Sequence, residues 1–120
     1  MPFADTLRQV VDQTEGALAG LLMDFEGIAV ETYVKDRNTF DIDVVGAEFS
    51  VIVKSVRRAI DSLEAGSTRE VSVQAEKIVT LIRVINEDYF VAVTMKPQGN
   101  LGKGRFLLRV AVPKFLEDLA

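Results

Sequence analysis

The sequence predicts an α+β domain of three layers, with helices on both faces of a mostly antiparallel five-stranded sheet. Three observations carry that prediction. The stretch from Ile42 to Leu63 repeats apolar residues at three- and four-residue steps, as one long helix does. Two further helical patterns stand at the two ends of the chain. Between the helices lie short apolar or alternating segments joined by tight turns, and such turns connect antiparallel neighbours. The resulting order is αββαβββα, within a single domain spanning residues 1–120.

Pro2 to Gln13 forms the first helix, with Leu7, Val10 and Val11 on its apolar side and Pro2 tolerated in a first turn. Gly16 suits the stop that follows. Ala17 to Asp24 (ALAGLLMD) is almost continuously apolar and too short for an independent helix, the pattern of a strand buried on both faces. Asp24-Phe25-Glu26-Gly27 makes a tight turn, with Gly27 available for a positive φ, and Ile28 to Val34 returns as the second strand. Lys35 to Thr39 is the loop into the long helix. Asp41 and Asp43 stand at that helix's start, where carboxylates cap free N–H groups.

In the long helix, Ile42, Val45, Phe49, Ile52, Val56, Ile60 and Leu63 define the stripe expected to lie on the sheet. The opposite side is not charged throughout. It carries Val44, Ala47 and Val51, then Ser55, Arg58 and Ser62. Scattered surface valines are common, but a helix apolar on two sides also suits one held between its own sheet and a partner, most simply a second copy. The helix is expected to end at Ala65-Gly66.

Three strands follow, Arg69 to Gln74, Lys77 to Ile85 and Tyr89 to Met95, with Asn86-Glu87-Asp88 as the second turn. In the first of them Val71 and Val73 face one way, Ser72 and Gln74 the other. Leu101 to Leu119 closes the chain as a helix through Leu107, Leu108, Ala111, Phe115 and Leu119. Pro113 removes one backbone hydrogen bond and is expected to kink that helix or divide it.

Composition narrows function. A 48% apolar and 27% charged chain has enough of both to fold as a globular domain. The net charge of −4 and the lack of a Lys/Arg-rich run argue against nucleic acid as a partner. With no cysteine and no histidine, disulfides, the usual zinc sites and Cys–His or Ser–His nucleophiles are excluded. Met1 to Val11 contains Asp5 and Arg8 and lacks a signal peptide's apolar centre. No apolar run reaches the length that spans a bilayer, so the expectation is a cytoplasmic protein without membrane insertion.

Three places could carry chemistry. Gly99-Asn100-Leu101-Gly102-Lys103-Gly104-Arg105 is a glycine-rich start to a helix after a strand, where backbone N–H groups can hold an anion. Its glycine spacing is too short for a P-loop, no Ser or Thr follows Lys103, and close helix–sheet packing explains the glycines as well. Asp36, Asn38, Asp41 and Asp43 match a calcium loop only at the first two positions. Asp24 and Glu26 form a carboxylate pair, but in a hairpin turn where such residues are routine. No catalytic, cofactor or metal residue is therefore assigned, and the chain is expected to be a binding or regulatory protein, not an enzyme.

Two segments resemble the Roadblock family (roadblock/dynein light chain domains). Thr14 to Tyr33, TEGALAGLLMDFEGIAVETY, is similar to the family's opening hairpin, a G-x-x-G-x-x-L-x-D-x-x-G-x-x-I run, with Gly20, Leu22, Asp24, Gly27 and Val30 at or near the motif positions. Ala75 to Arg109 resembles its closing strands and last helix. There GNLGKGRFLLR matches N-L-G-x-x-R-x-x-L-R through Asn100, Leu101, Gly102, Arg105, Leu108 and Arg109. Lys103 and Pro113 depart from the usual form of the last helix.

The resemblance covers essentially the whole chain. It implies a profilin-like three-layer α/β/α arrangement, with the middle helix on one face and the terminal helices on the other. It further implies a homodimer, formed by laying the middle helices together and joining sheets along the third strand. Val44, Ala47, Val51, Ser55, Arg58, Val71 and Val73 would be its contact residues. Within the family the chain looks nearest the bacterial MglB-like regulators of Ras-like GTPases of the MglA type, which promote GTP hydrolysis without supplying a catalytic arginine. Lys54, Arg57 and Arg58 would then lie on or beside the surface that meets the GTPase. A structural adaptor built on the same dimer is the alternative. The chain ends at Ala120, so an activity that needs the C-terminal tail of some members is not expected.

Overall fold

The computed structural model describes residues 2–37 and 40–119. Its elements are α1 (Pro2–Gln13), β1 (Ala17–Asp24), β2 (Ala29–Val34), α2 (Ile42–Ser62), β3 (Glu70–Gln74), β4 (Val79–Val84), β5 (Tyr89–Met95) and α3 (Leu101–Leu119), in the order the sequence predicts. Asn38 and Thr39, the end of the expected loop into α2, lie outside the described residues. The strands form one sheet in the order β2-β1-β5-β4-β3, and every neighbouring pair is antiparallel. The pairing of β1 with β5 joins the two halves of the chain, and both strands, inside the sheet, are apolar on two faces.

Each face of the sheet has its own core. On one, Leu7, Val10 and Val11 of α1 and Leu108, Ala111 and Phe115 of α3 pack with Leu22, Leu81, Val91, Val93 and Met95. On the other, Ile42 and Val53 of α2 pack with Ala19, Leu21, Met23, Ile82, Phe90 and Ala92. Gly20 is the place in β1 where α1 comes closest: a β-carbon there would lie 2.7 Å from Val11 and 2.9 Å from Leu7. The Tyr33 hydroxyl donates to Asp12 Oδ1 at 2.7 Å, tying β2 to α1. That hydrogen bond is the main reason its phenol is held above the ordinary tyrosine pKa.

The turns follow the local chemistry. Asp24 accepts from the N–H groups of Glu26 and Ile28, both at 2.9 Å, and Gly27 takes φ +91°. Phe25, between them, is buried against Phe90 with ring centroids 5.2 Å apart, so the turn anchors the core as well as reversing the chain. Asp41 caps α2 by accepting from the Asp43 N–H at 2.9 Å, as expected.

Three expectations need correction. First, α2 buries Ile42, Gly46, Ser50 and Val53, not the full stripe of large residues. A β-carbon on Gly46 would run into the Leu21 side chain and sit 2.8 Å from the Met23 methyl. The helix backbone therefore approaches the sheet at its small residues, and this rotates Val45, Phe49, Val56 and Ile60 to a half-buried flank. Ile52 and Leu63 are 43% and 74% exposed.

Second, α2 stops at Ser62, before Ala65-Gly66. Glu64 adopts φ 53°, its N–H bonds the Asp61 carbonyl at 3.0 Å, and the Ala65 N–H bonds the Ile60 carbonyl at 3.1 Å. That is a Schellman closure with glutamate where glycine is usual. Third, α3 is one continuous helix through Pro113. Pro113 and Arg109, whose carbonyl loses its donor, are both exposed, so water can serve that carbonyl.

Two stability changes follow. Gly46→Val should lower the urea midpoint by an amount equivalent to about 1–3 kcal/mol, because overpacking against β1 outweighs any gain in helix propensity. Glu64→Gly should raise stability by roughly 1 kcal/mol, since the left-handed conformation costs glycine nothing; an unchanged midpoint would refute this account of the stop.

Candidate interaction surface on the middle helix

α2 lies nearest β1 and β2, on one half of its sheet face. A groove therefore opens between its flank and the other half. Phe40, Val44, Val45 and Phe49 line one wall, Val73, Ala75, Ile78 and Thr80 the other, around a space of about 290 Å³ that is almost wholly apolar. From this wall the outward side of α2 continues with Val44 at 57% and Val51 at 65% exposure, and Ile52 is exposed as well. Isolated surface valines are ordinary, but a groove continuous with an exposed helical apolar strip is a candidate interaction surface.

The residues expected at a dimer contact fall as follows. Val44, Ala47, Val51, Ser55 and Arg58 are all exposed on α2. Val71 and Val73 are half-buried and face the α2 side of the sheet; Val73 lines the groove, whereas Val71 packs on the core beneath α2. β3 is an edge strand, so its outer backbone edge has no strand beside it. The opposite face of β3 is held from α3: Arg105 Nε lies 2.9 Å from Glu70 Oε2, and its Nη2 donates to Ser72 Oγ at 3.1 Å. That partly exposed clamp contributes about 0–1 kcal/mol. It orients β3 and leaves its valine face toward the groove.

Of the three basic residues expected near a partner, Lys54 and Arg58 are exposed. Arg57 is elsewhere. Its guanidinium lies 4.1 Å from the centroid of the Phe25 ring, half-buried on the sheet side of α2, and is occupied in that cation–π contact. Phe40, Val45, Phe49, Ile52 and Ile78 belong to the surface but were not assigned to it from the sequence. One signal was available. Phe40 precedes the Asp41 cap and Val45 stands in the first turn, the spacing of a hydrophobic staple.

The other candidate sites have structural uses. In the glycine-rich segment, Gly99 meets Gly16: a β-carbon on Gly16 would sit 2.6 Å from the Gly99 Cα. The loops there are joined by Lys96 N–H to Gly16 carbonyl and Asn100 N–H to Glu15 carbonyl bonds. Asn100 Oδ1 accepts from the Lys103 N–H at 3.0 Å and so caps α3 itself. Asp24 shapes its turn and Asp41 caps α2. Asn38 lies outside the described residues, among which no cluster of three carboxylates that could hold a metal occurs. Nor, among them, is any helix long and apolar enough to cross a membrane.

No family model matches the chain, and no curated protein is similar to it. Solved structures are. MglC from Myxococcus xanthus is 41% identical, with 95% of this chain and 96% of that one covered and a TM-score of 0.68. A Roadblock/LC7 domain from Streptomyces avermitilis superposes more closely, with a TM-score of 0.83 over 95% of this chain and 94% of that one, at 15% identity. The gliding protein MglB from Thermus thermophilus gives a TM-score of 0.81 at 16% identity over 92% of this chain and 82% of that one. The last two speak for the fold. The identity to MglC over nearly the full length of both chains speaks for descent, and with the αββαβββα order and the matching hairpin and GNLGKGRFLLR segments it places this chain in the Roadblock family.

Proposed function

We propose that the chain is a homodimeric regulator of a small Ras-like GTPase of the MglA type, acting in the cytoplasm through the surface around α2. The observation that carries this reading is the apolar strip and groove of α2 and β3, in a chain 41% identical to MglC. In the dimer the outward sides of two α2 helices meet and the free edges of two β3 strands pair. Val44, Ala47, Val51 and Ser55 contribute from the helix, with Val71 and Val73 from the strand. One MglB structure is described as having a tetrameric arrangement, which is consistent with self-association among relatives. Lys54 and Arg58 supply positive charge at the margin of the paired helices, where the GTPase docks. The chain supplies no catalytic arginine and promotes hydrolysis by ordering the GTPase's own residues.

A second reading, an adaptor that assembles complexes without affecting hydrolysis, rests on a specific observation. Identity to the MglB structures is only 11–16%, a level that carries the fold and not an activity.

Val51→Asp should convert a dimer to a monomer on sedimentation, raising the dissociation constant at least about tenfold (1.4 kcal/mol), with the circular dichroism of the fold unchanged. A dimer of undiminished affinity would remove the α2 face from the interface. For function, GTP turnover by the Ras-like GTPase of the same genome is measured with and without the chain. A regulator raises the rate, and Lys54→Glu, outside the expected dimer contacts, weakens GTPase binding by about tenfold while the sedimentation of the chain stays the same. Tight binding with no change in turnover selects the adaptor.

A further inference from the structure

The face of the sheet opposite α2 is covered by α1 and α3, and these two helices leave a cleft of about 290 Å³ between them. Thr6, Gln9 and Gln13 line it from α1, and Leu107, Val110 and Lys114 from α3. α3 is also apolar on its outer side. Phe106 and Val110 are each 51% exposed, and Pro113, exposed as well, follows at the next turn, so the three stand at i, i+4 and i+7. The core does not need this strip, since α3 meets it through Leu108, Ala111 and Phe115.

The charges of α3 are the second observation. From Leu101 to Leu116 the helix carries Lys103, Arg105, Arg109 and Lys114 and no carboxylate, in a chain whose net charge is −4. Its first turn holds Lys103 and no acid, and its last turn holds Glu117 and Asp118 and no base. That order opposes the helix dipole, whereas α2 follows the dipole with Asp41 and Asp43 at its start. Arg105 is accounted for by its clamp on Glu70. Lys103, Arg109 and Lys114 form no ion pair among the described residues. The Arg109 guanidinium lies 5.6 Å from the centroid of the Phe106 ring, which keeps its charge at the edge of the apolar strip. Neither the helix dipole nor an ion pair within the fold accounts for these three cations.

We propose that the outer side of α3, with the cleft toward α1, is the docking site of an acidic amphipathic helix from a partner protein. The apolar face of that helix lies on Phe106 and Val110 and sends a side chain into the cleft over Leu107. Its flanking carboxylates meet the cations on both sides of the strip. Lys114 stands on the cleft side, and Lys103, three turns earlier, shares that side; Arg109 stands on the other. Asp5 and Asp12 are exposed on α1, and this disfavours an anionic membrane. A uniformly anionic surface meets those carboxylates along with the cations, whereas a helix sets its own carboxylates over α3 alone. The site lies across the sheet from α2, so it stands whether or not α2 forms a dimer or meets a GTPase.

The test is photo-crosslinking in the cells that make the protein, with p-benzoylphenylalanine placed in the full chain at Phe106 and, separately, at Val110. Glu87, exposed in the β4–β5 turn, is the control position. At Phe106 the probe replaces one exposed aromatic ring with another, so the fold is kept. Both positions, and not Glu87, should capture one protein. Mass spectrometry of its crosslinked segment should show apolar residues at three- and four-residue steps and an excess of Asp and Glu. Lys103→Glu combined with Lys114→Glu should cut the yield at least about tenfold. The captured segment, as a synthetic peptide, should shift the amide resonances of residues 6–13 and 103–114, with a dissociation constant raised at least about tenfold by the same reversal. Both lysines are exposed, so the circular dichroism of the fold should not change. Crosslinks to lipid, to a second copy of this chain or to a segment poor in acidic residues overturn the proposal. So do a yield no higher than at Glu87 and a capture unaltered by the charge reversal.

Discussion

The close approach of α2 to β1 at Gly46 sets the shape of the interaction face. Glycine at the contact lets Leu21 and Met23 fill the space beneath the helix axis, and Ser50 and Val53 continue the same line of contact. A helix seated on small residues is seated low and rotated. Its larger apolar side chains move to the flank, where they form a wall of the groove instead of entering the core. The exposed apolar surface beside α2 is thus a consequence of how the core is packed. Dense packing leaves little freedom to rotate α2 back without opening a void over β1.

The opposite layer is secured differently. α1 and α3 share one core, and the loops that lead into β1 and α3 are clasped at Gly16 and Gly99. The Gly16–Gly99 approach and the Asn100 cap account for the glycine-rich segment as packing and capping, without any ligand. Arg105 continues this layer's reach to the far edge by holding β3 through Glu70 and Ser72. One arginine thereby does two things. It steadies the edge strand, and it engages the carboxylate that stands across the ladder from Arg83.

Two concavities of the surface differ in polarity. The groove beside α2 is open and apolar, and it adjoins the edge strand β3. The other, at the sheet end, is lined mainly by charged and polar side chains, with Val84, Ile85 and Val112 among them. Apolar area with an unpaired backbone edge suits self-association.

By itself the sequence determined the element order, the antiparallel hairpins, the Asp41 cap, the Gly27 turn and the outward position of Val44, Ala47 and Val51, because all of these depend on spacing and local backbone chemistry. Its family motifs were sufficient for the family. Only the tertiary structure decided which side of α2 is buried, since hydrophobic periodicity weighs large residues and overlooks Gly46 and Ser50, whose value is that they are small. The helix stop at Glu64 in place of Gly66 was hidden for a related reason: a carbonyl closure can force a non-glycine into the left-handed region. Arg57 moved from surface to core margin because Phe25, read as a turn residue, folds inward beneath it. The engagement of Glu70 by Arg105 and not by Arg83 across the ladder was also beyond sequence, for it depends on a cross-strand register and on a residue arriving from a helix thirty-five positions away.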